Sequence, residues 1–96
     1  MSIERIKQLQ DGMNEKNHFK AGDLVRWKEG LRNRRFPDYG TPTLVAEVKP
    51  EPIFENLDDS GAPNFGEPLD LVLVKLDSDG ELVHYHFDSR RFELVA

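Results

Sequence analysis

The sequence predicts a mostly β protein: a small antiparallel barrel preceded by one short helix. Three observations point there. About five short apolar runs fall within residues 19–96, each bounded by Gly, Pro, Asn or Asp. Only one stretch, residues 2–12, carries apolar residues at helical spacing. A curled antiparallel sheet that closes on itself is also the economical way to bury such short strands and limit open edges.

The helix is expected to start at Ser2, whose hydroxyl can cap the first turn, with Glu4 at the positive end of the dipole. Ile3, Ile6, Leu9 and Met13 form its stripe, and Gly12 is expected to end it. A helix this short is marginal alone, so it must dock on its own domain or on a partner chain.

Residues 14–17 read as a polar connector. The first strand region spans 19–28, with Leu24, Val25 and Trp27 as strand formers behind the Ala21-Gly22-Asp23 turn. Residues 30–42 form a loop rich in Arg, Gly and Pro. A second strand covers 43–48 and is expected to stop at Pro50 and Pro52, because proline cannot donate to a ladder.

Residues 50–68 hold four prolines and two glycines and read as a long irregular connection, functional or mobile, with Ile53, Phe54 and Phe65 packing back as pegs. The strongest strand is 69–76, Leu-Asp-Leu-Val-Leu-Val-Lys-Leu. Asp77-Ser78-Asp79-Gly80 makes a hairpin turn into a strand at 81–87, and a terminal strand follows at 91–95.

The chain has 96 residues, room for one domain spanning 1–96. It has no cysteine, which excludes a disulfide framework and a thiolate zinc site. No run approaches the roughly 18 apolar residues of a membrane helix, and Met1-Ser2-Ile3-Glu4 does not open like a secretory signal. A cytoplasmic protein without membrane association is expected.

The net charge of −5 is unevenly spread. Within 19–35, Lys20, Arg26, Lys28, Arg32, Arg34 and Arg35 oppose only Asp23 and Glu29, a net of +4. Within 47–70, seven carboxylates oppose Lys49 alone, a net of −6. The two blocks either face each other or are solvated.

The stretch Phe19-Lys20-Ala21-Gly22-Asp23-Leu24-Val25-Arg26-Trp27-Lys28 resembles the opening strand of SH3-like small barrels, in particular KOW-type and YodC-like modules. The matching positions are Gly22, Asp23, Val25 and Gly30, with Val45 and Val48 in the place of the next strand. The resemblance covers about a third of the chain and implies an SH3-like barrel that contacts RNA or protein. The longer 30–45 segment, the additional 50–68 loop and the acidic balance depart from that family. Physically, a glycine allows the sharp turn before the strand, and the Asp23 carboxylate accepts the turn's N–H groups.

Four constellations could carry function. Arg26, Trp27, Arg32, Arg34, Arg35, Phe36 and Tyr39 combine forked donors for carboxylate or phosphate with flat rings for stacking. They form either a binding surface for a protein, nucleic acid or nucleotide, or a core tryptophan with solvated arginines. His84, His86 and Asp88 alternate along a strand and could offer a metal three ligands on one face; equally, Val83, Tyr85 and Phe87 simply point inward. Asp77-x-Asp79-Gly80-Glu81 has a fragment of a calcium loop but reads better as the hairpin turn. Asp88-Ser89-Arg90-Arg91-Phe92 reads as a structural corner, where Arg90 or Arg91 can pin the acidic loop or join the partner surface.

No nucleophile elbow, phosphate loop or His-Glu-x-x-His motif is present. The expectation is therefore a non-enzymatic adaptor or regulator without a cofactor. It would bind a partner protein through the arginine and aromatic loop, with nucleic-acid or nucleotide binding by the same cluster as the alternative.

Overall fold

A computed structural model describes residues 2–15, 17–54 and 66–95. Helix α1 (Ile3–Asn14) leads into strands β1 (Leu24–Trp27), β2 (Thr43–Phe54), β3 (Pro68–Leu76), β4 (Leu82–Phe87) and β5 (Phe92–Leu94). A 3-10 turn, Ser89–Arg91, separates the last two. The five strands form one antiparallel sheet in the order β4-β3-β2-β1-β5. β4 and β5 are its two edges and do not pair, so the sheet is not closed into the expected barrel. No helix among the described residues is long and apolar enough to cross a membrane.

β2 departs most from expectation. It runs on through Pro50 and Pro52 to Phe54. Its register against β3 slips between Val45 and Glu47, and again between Val48 and Ile53. Both prolines lie in the second slip, where no ladder bond is asked of them; a bulge accommodates them and bends the strand. Ile53 and Phe54 then pair with Leu69 and Pro68, 37% and 51% exposed, rather than packing back as pegs. Phe65, the third expected peg, lies outside the described residues.

Facing rows of β residues build the core. Val45, Leu73 and Tyr85 stand opposite one another, as do Trp27 and Phe92. Phe19, Val25, Trp27, Val45, Leu71, Leu73, Phe87 and Phe92 are buried together. Trp27 stacks on Phe92 with ring centroids 4.3 Å apart and meets Phe87 edge-on at 5.7 Å.

The helix starts as the sequence predicts, with Ser2 Oγ accepting the Arg5 N–H at 3.1 Å. It does not stop at Gly12, which keeps helical backbone; the cap is Glu15, whose N–H reaches Asp11 O and Gly12 O. The lysine ending the first strand region supplies the missing donor. Lys28 Nζ donates to Glu15 O at 2.8 Å and to Gly12 O. Burial lowers the Lys28 pKa, while Glu15, Glu93 and Asp88 oppose that shift. The helix therefore docks through its C-terminal half, with Leu9 and Met13 half-buried, and leaves Ile3 and Ile6 exposed. Gly30 takes φ +77°, which favours glycine, and a Cβ there would sit 2.5 Å from Leu9 Cδ2 and make that side chain shift.

Candidate functional site

Lys28 ends the first strand region, and the chain then swings out as the 29–42 loop before returning as β2. This loop is tied down at its middle. Pro37 is fully buried, and its carbonyl accepts the Trp27 indole N–H. The preceding Phe36, joined to Pro37 by a cis peptide bond, packs on Tyr85 and Phe87 with centroids 5.0 and 6.0 Å away. Lys75 Nζ lies over the Phe36 ring, 4.9 Å from its centroid. The loop's aromatic residues thus belong partly to the core.

The arginines divide by role. Arg32 turns back on its own loop, donating to Arg34 O at 2.8 Å, to Arg35 O, and to Asp38 at 3.3 Å. Its guanidinium stands 5.4 Å from the Tyr39 ring. Arg34 lies over the Phe87 ring at 5.2 Å. Its Nη2 is enclosed and has no hydrogen-bond partner among the described residues. Arg35 is exposed, as is Tyr39 at 51%. Arg32, Asn33, Arg34 and Arg35 line a shallow open depression.

The remaining expected site residues are engaged within the fold, and of their arginines only Arg91 reaches the loop. Trp27, 2% exposed, is the core tryptophan and no platform for a ligand. Arg26 neighbours Trp27 in the strand and so points to the opposite face, where it pairs with Glu93 at 2.8 Å. Arg90 is held by Asp88, with Nη2 2.7 Å from Oδ2; the pair raises the Arg90 pKa against its desolvation. Arg91 donates to Glu67 and, at 2.9 Å, to Leu31 O. Arg90 and Arg91 are thus both engaged at the corner.

Glu67 is the acidic-block residue that the corner pins, through Arg91 as the sequence allows, and its tie to Asn33 is the link that sequence reasoning does not name. It accepts from Arg91 and from Asn33 Nδ2 at 3.2 Å, linking the acidic block, the corner and the arginine loop. The sequence signals for it are the opposite charge of the two blocks and the arginines of the 88–92 corner. The carboxylates of that block within residues 55–65 lie outside the described residues.

The metal candidate does not assemble. Tyr85 and Phe87 turn to the core and His84 is exposed, as strand alternation requires. Asp88, however, is 2% exposed and its carboxylate is taken by Arg90. No group of three or more His, Cys, Asp or Glu among the described residues is placed to hold a metal ion. In the hairpin, Asp77 Oδ1 accepts the N–H groups of Asp79 and Glu81, both at 2.9 Å, and Gly80 takes φ +82°. That carboxylate closes the turn.

A cleft of about 410 Å3 lies between Phe19, Val48, Pro68 and the 88–90 corner. Its two carboxylates are spent: Asp70 accepts Ser89 N and Oγ at 2.8 Å each, and Asp88 holds Arg90. No protein-family model, curated protein or solved structure matches this chain.

Proposed function

We propose that this chain is a non-enzymatic adaptor or regulatory module that binds an acidic surface of a partner protein through its 32–39 loop. The observation carrying this reading is an anchored loop with an exposed rim. Trp27 and Pro37 lock the middle of the loop, while Arg35 and Tyr39 remain exposed at its tip. A loop already held in place loses little conformational freedom on binding, and Tyr and Arg are residues that anchor interfaces. The depression lined by Arg32, Asn33, Arg34 and Arg35 adds cationic side chains beside that rim, which suit a carboxylate.

An SH3-like barrel is the finer architecture proposed with this reading. It is supported by the Gly22-Asp23-x-Val25 motif, whose Asp23 accepts the Lys20 N–H at 2.9 Å, and by a bulged β2 that curls the sheet.

The test is capture from native lysate by the wild-type chain and by Arg35→Glu and Tyr39→Ala variants, with nuclease treatment as the control. The expected result is a protein ligand that survives nuclease and is lost with either variant. A ligand removed by nuclease, with affinity falling steeply in salt, would assign the rim to nucleic acid instead. Equal capture by all three chains overturns the reading.

A further inference from the structure

The two edges of the sheet are unlike. β5 has three residues, and its Glu93 is paired with Arg26. β4 has six, Leu-Val-His-Tyr-His-Phe, with no Lys, Arg, Asp, Glu, Pro or Gly among them. It pairs with β3 without a register shift, from Leu76↔Leu82 to Leu71↔Phe87. Protein edges are ordinarily blunted by charge, proline, bulges or shortness, and β4 has none of these.

The direction of its backbone groups follows from the turn. Asp77 N–H donates to Glu81 O across the hairpin, making that pair a bonded one. Bonded and non-bonded pairs alternate along an antiparallel ladder. Val83, Tyr85 and Phe87 therefore spend their N–H and C=O groups on β3, while Leu82, His84 and His86 turn theirs away from the sheet.

We propose that β4 pairs antiparallel with the β4 of a second copy of this chain, about a two-fold axis at His84. A two-fold axis perpendicular to the sheet keeps the two faces matched, so residues of like parity meet. His84 then lies opposite the partner's His84, and Leu82 opposite the partner's His86. This is the register in which the three outward-turned residues bond one another.

Charge favours a second copy as the occupant. β4 carries no fixed charge, so self-pairing sets no like charges opposite each other. Antiparallel pairing also keeps the acidic hairpins apart: Glu81 and the partner's Glu81 are separated by about 20 Å at roughly 3.4 Å per residue. That exceeds the Debye length of about 8 Å at physiological salt. Leu76 and Leu82, 65% and 59% exposed beside this edge, extend the contact. The proposal does not depend on the 32–39 loop.

The absence of cysteine makes a sharp test possible. Wild type is examined by sedimentation from micromolar to millimolar chain, alongside His84→Lys with its fold checked by circular dichroism. Single-cysteine variants His84→Cys, Leu82→Cys and Leu94→Cys are mildly oxidised. Facing bonded residues stand about 5.5 Å apart at Cα, inside the disulfide range of about 4.4–6.8 Å. The expected result is a concentration-dependent dimer, lost in His84→Lys, and a covalent dimer from His84→Cys alone. A monomer at every concentration overturns the proposal. So does a dimer indifferent to His84→Lys, or cross-linking through Leu82→Cys or Leu94→Cys, which requires another register or the other edge.

Discussion

Trp27 and Phe92 stand opposite each other on β1 and β5, their rings stacked at 4.3 Å with 26° between planes. The same indole donates to Pro37 O, so one side chain joins the last strand to the arginine loop. Trp27→Ala is expected to cost about 3–5 kcal/mol, the range for emptying a large buried aromatic site. Trp27→Phe keeps much of the packing but leaves the Pro37 carbonyl without its donor, and should cost about 1–3 kcal/mol. Denaturant unfolding measures both. A loss below that of an exposed substitution would remove Trp27 from the core.

Lys28 should hold the helix to the sheet. Lys28→Met leaves the carbonyls of Gly12 and Glu15 without their side-chain donor. The expected loss is about 1–3 kcal/mol, less whatever is regained by no longer burying the ammonium. Amide hydrogen exchange should show α1 opening faster while β3 and β4 keep their protection. Uniform loss of protection would mean that Lys28 supports the whole fold rather than the helix contact.

Two arginines of the same sequence type should behave differently. Arg91 pairs with Glu67, with side-chain exposures of 18% and 10%, whereas Arg35 is exposed. Arg91→Met is expected to destabilise by about 2–4 kcal/mol, because it leaves a largely buried carboxylate unpaired. Arg35→Met should change stability by no more than about 0.5 kcal/mol. Equal effects in thermal or denaturant unfolding would contradict this division of roles.

Asp23 should contribute to acid sensitivity. The Lys20 backbone N–H, then the Lys20 ammonium, hold its pKa below 3.8. A carboxyl with a lowered folded-state pKa contributes stability that is present above its unfolded value and lost as pH falls through the folded one. The gap between wild type and Asp23→Asn should therefore narrow on acidification below pH 3.8. A gap that stays constant from neutral to strongly acidic pH would show that the ionised form is not what matters.

The elements most legible in the sequence were those whose signals are local. β3 and β4 announce themselves by apolar runs and alternation, and Asp77-Ser78-Asp79-Gly80 by its own hydrogen bonds. Ser2 and Asp23 act within three residues of themselves. β2 outruns its expected end because proline is a local stop signal, whereas the tolerance of a bulge depends on the partner strand. Gly12 misleads for the same reason: a lysine 16 residues away, not a left-handed glycine, completes the helix end.

Periodicity and turn chemistry alone thus determined that this chain is mostly β, with one helix at its N-terminal end and a hairpin before its last strand. Tertiary structure decided which cations are spent. Arg26 finds Glu93 67 residues on, and Arg91 finds Glu67 and Leu31 24 and 60 residues back. An arginine reads the same in sequence whether it lies free or pairs across the fold. Only the approach of distant strands brings a carboxylate within about 3 Å of it, and that leaves Arg35 and Tyr39 as the exposed rim.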